Sequence, residues 1–475
     1  MRQFKFKKVA LINGRGIAGC GDVQHLHQLE DYFASHEVDH TVYASIDRKF
    51  SKSTQDEDTV DWVKFKFANE DEVIKHKENI DKADLVLITG LPERGEKEIE
   101  NFYKYFINGL PKTTTVVLLV VDHSKASLRR NPRWQEAVNR ADIHAVHALT
   151  GDVSKAFVAD GTIVPKPTIM TPCSFDFEDQ KTLYWKSVES KEPKSFGWLG
   201  RLTIAKKPDM VYKIHNSALK EDGWVSTLEG CEFDSPSALK YTFINSKDHP
   251  LTRKFGPLPD ICNCIPVAKG KPRPYTVDTY NDALDKKEYA ILLPTYKRIE
   301  GLERMSNKLF GSNFYSLMDY QYGGSLECAH AEIVCAGVIP IFHRHHGICT
   351  TNFRTMKSHY DKLLTLKENM EITGTIWADY ANTDEVSELM LELSKDKVYY
   401  EKIRNKAFEY WKHCYDREYI FGMFMDSIDE YIDQKEKDLI PDLAGFSPIS
   451  TLRIVKEQKI LLRHVTNDTL TDELF

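Results

Sequence analysis

Two cations open the second half of the chain with a spacing that suits anion chemistry. Gly197-Trp198-Leu199-Gly200-Arg201 has the pattern of a short buried strand, and Lys206 follows five residues later where a helix begins. Open α/β sheets bind ligands beyond the carboxyl ends of their strands. There an arginine offers a fork of donors and a lysine a point charge. Together they suit a departing diphosphate. The alternative is a solvated basic turn.

A second motif fits the same chemistry. Gly323-Gly324-Ser325-Leu326-Glu327 leads into Ala331-Glu332-Ile333-Val334-Cys335-Ala336-Gly337-Val338-Ile339-Pro340. Glycines and a serine cap a helix whose free amides can hold phosphate. Glu332 lies about two turns on, where its carboxylate can accept from ribose hydroxyls or simply face solvent.

The first half carries Gly14-Arg15-Gly16-Ile17-Ala18-Gly19-Cys20-Gly21 after its first apolar run, with Asp47 after the second. Gly16, Gly19 and Gly21 let backbone approach a phosphate or a sugar at a helix start. Nicotinamide dinucleotide binding is one reading, and a tight turn is another. Asp122 and His123 sit where the fourth apolar strand ends, placed to orient a hydroxyl or move a proton, or to cap a turn. Arg129, Arg130 and Arg133, with Trp134 beside them, suit phosphate contact and base stacking, or a solvated helix start. His343-Arg344-His345-His346 lacks the carboxylate or thiolate partners of a metal site. Asp56-Glu57-Asp58 lies in a polar loop. Neither is assigned a metal.

The elements that must position these groups alternate. Strands are predicted at Val9–Asn13, Thr41–Ala44, Leu85–Thr89, Val116–Val121 and Ile143–His147, with helices at Val23–Phe33, Glu96–Phe106 and Arg133–Arg140. That alternation implies parallel βαβ units. Pro165 to Lys194 is richer in proline, serine and charge and reads as a linker. A second α/β series follows: strands at Phe196–Leu199, Ala290–Leu293 and Val338–Phe342, and helices at Ser325–Cys335, Glu385–Leu393 and Tyr399–His413. Ile420–Ile432 reads as a helix crossing back to the first domain, and Ile449–Arg463 breaks an otherwise irregular tail.

The bulk numbers agree. At 475 residues the chain exceeds the ~250–300 that one core sustains. With 41% hydrophobic and 28% charged residues it is globular in composition. No apolar run reaches the ~18–20 residues that span a bilayer, and the first segment runs into a strand with no signal-peptide pattern. A cytoplasmic protein with no membrane partner is expected. Nine scattered cysteines without a CxxC pair point to reduced thiols, not to zinc or disulfides. A net charge of −7 excludes a general coat of nucleic acid but allows a local basic channel.

Taken together these residues resemble the T-even bacteriophage DNA α-glucosyltransferases and their relatives that attach other sugars, arabinose among them, to phage DNA. The likeness runs through Arg15-Gly16, Gly19-Cys20-Gly21, Asp122-His123-Ser124, Ser127-Leu128-Arg129-Arg130-Asn131, Gly200-Arg201 with Lys206, and Glu229-Gly230 with Ser235-Pro236. It continues in Leu302-Glu303-Arg304-Met305-Ser306, Phe310-Gly311, Ser325-Leu326-Glu327, His330, Glu332 and Ile376-Trp377. The resemblance implies two Rossmann-like, doubly wound domains facing a cleft, the GT-B architecture. Residues 1–180 would form the acceptor domain, 195–415 the UDP-sugar domain, and 416–475 a returning helix and a tail.

By the same resemblance, a sugar passes from UDP to 5-hydroxymethylcytosine in double-stranded DNA with retention at the anomeric carbon. This would occur in the cytoplasm of an infected bacterium and would protect the DNA from host nucleases. Arg201 and Lys206 would bind the diphosphate, Ser325 and Leu326 would meet it with backbone amides, and Glu332 would hold the ribose. Gly16, Gly19 and Gly21 would line the donor. Asp122 would act on the sugar or the acceptor hydroxyl, and His123, Arg129, Arg130 and Arg133 would serve DNA. The UDP-sugar is the co-substrate, and no cofactor is expected.

One departure bears on the sugar. The family pattern is His-Asp-His-Ser where this chain has Val121-Asp122-His123-Ser124. A histidine at that point meets the glucose 6-hydroxyl. Valine would leave that hydroxyl unpaired, at about 1–3 kcal/mol. A pentose lacks the group, which favours UDP-arabinose over UDP-glucose.

Three rivals are separable. A glycosyltransferase for a small molecule or polysaccharide would lack a salt-dependent affinity for DNA. A silent nucleotide-binding protein needs no paired cations at a strand end. An oxidoreductase would bind NAD in place of a UDP-sugar.

Overall fold

Leu85–Thr89 reads LVLIT and Thr115–Val120 reads TVVLLV. Runs without polar alternation are strands buried on both faces, and parallel sheets covered by helices require them. The computed structural model describes residues 3–14, 21–47, 61–92, 95–120, 133–146, 168–170, 176–185, 194–201, 210, 213–219, 222, 224–231, 314–317, 328–344, 352, 354–355 and 357–437. The chain divides into two units, one of Met1–Phe175 with Arg417–Phe475 and one of Asp176–Asp416.

The first unit holds β1 (Lys8–Asn13), β2 (Asp39–Ser45), β3 (Val63–Phe65), β4 (Leu85–Thr89), β5 (Thr115–Val120), β6 (Ile143–Val146) and β7 (Thr168–Met170). They form one sheet in the order β3-β2-β1-β4-β5-β6-β7, with every pair parallel. Strand order reverses between β1 and β4. Alternate residues feed two cores, as the period of two requires. Val9, Leu11, Val42, Leu85, Leu87 and Val117 pack with Leu26, Leu29 and Phe33 of α1 (Gly21–Ser35). Ala10, Ile12, Val86, Ile88 and Leu118 pack on the other face with α2 (Glu70–Ile80), α3 (Glu96–Phe102) and α4 (Trp134–Arg140). A π turn, Tyr103–Ile107, continues α3.

The second unit carries β8 (Ser195–Arg201), β9 (Val225–Cys231), β10 (Phe314–Leu317), β11 (Ile339–His343) and β12 (Ile376–Ala378), parallel in the order β12-β11-β10-β8-β9. Its described helices are α5 (Phe177–Tyr184), α6 (Cys328–Cys335), α7 (Leu366–Thr373), α8 (Thr383–Lys395) and α9 (Lys397–Tyr415). Trp198, Trp377 and Trp411 are fully buried. Two of their indoles keep partners inside the core. Trp377 Nε1 donates to Thr373 Oγ1 at 3.2 Å, and Trp411 Nε1 donates to Thr375 Oγ1 at 2.8 Å. A buried N–H left without an acceptor would cost about 1–3 kcal/mol.

The last described helix, α10 (Arg417–Glu436), packs on the first unit. Its Phe421, Phe424, Met425, Ile428 and Tyr431 join the α1 side of that core. Five such side chains at about 1.5–3 kcal/mol each outweigh the polar ties beside them. Those ties are Lys5 N–H to Asp429 Oδ1 at 2.9 Å and Lys435 to Asp142 at 3.3 Å.

Five of the described strands escape the sequence reading: β3, β7, β9, β10 and β12. The stretch read as a linker, Pro165 to Lys194, contains β7 of one unit and α5 of the other. Ala290–Leu293 and Ile449–Arg463 lie outside the described residues.

Gly374 caps α7 with φ +67, and a Cβ there would stand 2.1 Å from the Ala407 backbone nitrogen. Both the left-handed conformation and the contact exclude a side chain. Gly374→Ala is expected to destabilise the second unit by at least about 2 kcal/mol. The urea midpoint measures it, and an unchanged midpoint would mean that α7 and α9 do not close on this residue.

Candidate functional site

A parallel sheet buried on both faces exposes its polar chemistry at its ends. Each unit therefore has one edge to consider. In the second unit β8 ends at Arg201, whose backbone pairs with Cys231 of β9. Helix α6 packs against β11, α5 and α9. Lys206, Ser325 and Leu326 lie outside the described residues, which resume at Cys328. Glu332 is partly exposed on α6.

Cys335 follows three residues after Glu332 on the same helix. Burial pushes its thiol well above the usual range, and the neighbouring carboxylates of Glu332, Asp176 and Glu178 add to this. Its Sγ stands 3.8 Å from the Phe177 carbonyl. Such a thiol stays protonated and is no nucleophile.

Two further groups hold this edge. Arg344 follows β11 directly, and its guanidinium pairs with Asp379, which follows β12. Asp379 is 7% exposed, and its Oδ1 accepts from the backbone N–H of Ala381 at 2.7 Å and of Asn382 at 3.0 Å. His343 is buried. His345 and His346 lie outside the described residues. Sequence reasoning weighed Arg344 only as part of a histidine run, and missed Asp379. Its signal was an acid directly after a short apolar strand.

In the first unit the reversal between β1 and β4 makes the edge. Gly14 N–H donates to the carbonyls of Thr89 and Gly90, each at 3.1 Å. A Cβ on Gly14 would meet the Gly90 carbonyl oxygen at 2.5 Å, so only glycine allows this approach. Gly21 begins α1, while Gly16 and Gly19 lie outside the described residues.

Asp47 does not suit the dinucleotide reading. Its Oδ2 accepts from Ser45 Oγ at 3.0 Å and from the Ala68 N–H at 3.0 Å. Ser45 Oγ also stands 3.3 Å from Oε1 of the buried Glu98. An acid held by its own turn anchors the chain there and does not wait for a ribose.

Asp122, His123, Arg129 and Arg130 lie outside the described residues. Arg133 is placed at the start of α4. It grips Glu136 through two parallel bonds, Nε to Oε1 at 2.7 Å and Nη2 to Oε2 at 2.6 Å. Its guanidinium also lies over the Tyr103 ring, 4.6 Å from the centroid. The bond from Arg133 holds the Glu136 carboxyl below the usual range. A cation bound on two sides by its own unit contributes to packing, yet its side chain stays 32% exposed, and the DNA contact expected of Arg133 remains a proposal.

Among the described residues no group of three or more His, Cys, Asp or Glu side chains is placed to hold a metal ion, and no helix is long and apolar enough to cross a membrane.

The family model for DNA alpha-glucosyltransferase matches residues 20–255. The DNA alpha-glucosyltransferase of Enterobacteria phage T4 is 26% identical over 437 residues, which span 89% of this chain and 99% of that protein. An alpha-glucosyltransferase solved in complex with UDP and a 13-mer DNA containing a HMU base superposes with a TM-score of 0.70 at 24% identity. That match covers 90% of this chain and 99% of the other. A structure of alpha-glucosyltransferase with UDP-glucose and DNA containing an abasic site gives 0.68 at 24% identity, covering 88% and 98%. HepE of Anabaena in complex with UDP gives 0.52 at 11% identity, covering 89% and 100%. At such identities the solved structures speak for the fold, α/β with parallel sheets.

Cys335 and Cys414 test how firmly the second unit is closed. Burial pushes the Cys414 thiol up to about 12, so at about pH 8 both thiols remain protonated as well as covered. Native protein treated with iodoacetamide is expected to carry no adduct at either position, and unfolded protein to carry both. Mass spectrometry reads the outcome, and labelling of native Cys335 would show that α6 opens.

Proposed function

Since this chain is a relative of the DNA alpha-glucosyltransferases, we propose that it moves a sugar from a UDP-sugar onto a hydroxymethylated pyrimidine, 5-hydroxymethylcytosine, in double-stranded DNA. The observation that carries this reading is the alignment to the phage T4 enzyme, which takes in 99% of that protein. Relatives bound to UDP, to UDP-glucose and to DNA with a HMU base support the same classes of donor and acceptor. The two sheets fit a GT-B arrangement, with the first unit serving the acceptor and the second the donor.

In this reading Arg201 and Lys206 meet the diphosphate, and the amides of Ser325 and Leu326 add dipoles to the same charge. Glu332 takes the ribose hydroxyls. Gly16, Gly19 and Gly21 let the first unit's loop approach the donor. Arg129 and Arg130 meet DNA phosphates, with His123 close to the acceptor. Asp122 orients the sugar or the acceptor hydroxyl. The base carrying the hydroxymethyl group leaves the stack to reach these groups.

The reaction breaks the bond between the anomeric carbon and the UDP oxygen and makes one to the acceptor oxygen. The acceptor proton passes to the departing phosphate, so no protein nucleophile and no cofactor is required. The barrier falls because fixed cations meet charge that grows as UDP leaves. Transfer on one face retains the anomeric configuration.

Arg201→Ala and Lys206→Ala are each expected to cut transfer about 100-fold or more, the usual loss for one charge-stabilising donor. Near-normal turnover in both would remove the diphosphate clamp from the mechanism.

The whole reading is tested by incubating hydroxymethylcytosine DNA with a panel of UDP-sugars and weighing the digested nucleosides. A sugar added to hydroxymethylcytosine is expected, with the pentose of UDP-arabinose ahead of glucose when both are equal. Val121 motivates that order, because a site gains selectivity through what it leaves unpaired. Preference for glucose would overturn the pentose choice alone, and no transfer with any sugar would overturn the function.

A further inference from the structure

The register of the second sheet sets a row of charged residues along its carboxyl edge. Ser316 of β10 pairs with Ile341 of β11 on one side and with Trp198 of β8 on the other. Ile341 pairs in turn with Ile376 of β12. These four residues therefore stand at one level. Three residues further along their strands come Asp379, Arg344 and Arg201. The backbone N–H of Arg344 still donates to the Ala378 carbonyl at 3.0 Å, so the strand register holds this far. Arg344 and Arg201 thus flank the exit of β10 at equal height, from its two opposite neighbours. Strands stand 4.7–4.9 Å apart, so the two backbones are about 10 Å from each other.

In the reading proposed above Arg201 meets the diphosphate of the donor at this edge, and Arg344 stands across the exit of β10 from it. We propose that Arg344 is a second donor-binding arginine, which contacts the diphosphate of the UDP-sugar from the side opposite Arg201. This rests on the donor class proposed above.

Asp379 explains why Arg344 is ready for that task. The acid is almost covered, and one of its oxygens is fixed by two backbone N–H groups at the start of α8. Its other oxygen holds the guanidinium, whose side chain keeps 30% of its surface exposed. A guanidinium anchored on one edge loses little freedom when a second anion meets another edge. The pair is also a clasp between β11 and β12, so a test must separate binding from folding.

Two variants do this. Arg344→Gln combined with Asp379→Asn replaces the ion pair with a neutral hydrogen-bonded pair, which removes the charge without burying an unpaired carboxylate. Arg344→Lys keeps the charge near Asp379 but loses the fork. Titration calorimetry measures UDP and uridine binding to each full-length protein, with the melting temperature recorded beside it.

The double variant is expected to melt close to wild type and to bind UDP about ten-fold more weakly, with uridine unchanged. Arg344→Lys is expected to lose about three-fold toward UDP. Wild-type UDP affinity in both variants would overturn the proposal, as would an equal loss toward uridine. Should the double variant not fold, Arg344→Lys carries the test alone. Absence of UDP binding by the wild type would instead overturn the donor assignment itself.

Discussion

Parallel strands that are covered on both faces can offer a ligand only their ends. Every backbone amide along such a strand is spent on its neighbours, and every side chain between the ends is packed. In this chain that constraint applies twice. Val9, Leu11, Leu85 and Leu87 fill one side of the first sheet and Ala10, Ile12, Val86 and Ile88 the other. Polar character returns where the strands stop, at Asn13, Ser45 and Thr89 in one unit and at Arg201, Arg344 and Asp379 in the other. Glycine then does the remaining work at the reversal of strand order, where Gly14 lets β1 and β4 come within bonding distance of one another.

Sequence legibility follows the same division. Runs such as LVLIT and TVVLLV announce themselves because double burial removes polar alternation. The short strands β3, β7, β10 and β12 did not, since three or four residues carry too little pattern to separate from a loop. The supposed linker misled for a related reason. Proline, serine and charge dominate its composition, yet Thr168–Met170 needs only a neighbouring edge to become a strand. Helix α10 was legible because its apolar stripe recurs at helical spacing, and five of those residues complete the core beside α1.

Site residues were legible by type more than by environment. Arg201 at the end of β8 and Glu332 on α6 stand in the elements expected of them. Arg133 and Asp47 were chosen for their chemistry too, and both also hold partners within their own unit. Arg133 faces a glutamate one turn on and an aromatic ring from another helix, and Asp47 faces a serine two residues back. Spacing along the chain cannot distinguish a charge kept for a substrate from one that closes a turn. That difference depends on Tyr103 and Ala68, which lie far away in sequence.

The same bookkeeping of charge narrows where DNA contact can reside. The chain is net acidic, so phosphate affinity must come from a local concentration of cations. Every arginine whose side chain is described already holds a partner within its own unit. Arg133 holds Glu136, Arg140 holds Asp142, Arg344 holds Asp379, Arg354 holds the His413 carbonyl, Arg404 holds Glu401, and Arg417 lies against Glu418. A guanidinium committed in this way contributes order to the fold, and a partly exposed one such as Arg133 or Arg344 can also meet a ligand. The elements therefore supply the frame. Lys206, Arg129 and Arg130 lie outside the described residues, and the contacts proposed for them would add to that frame.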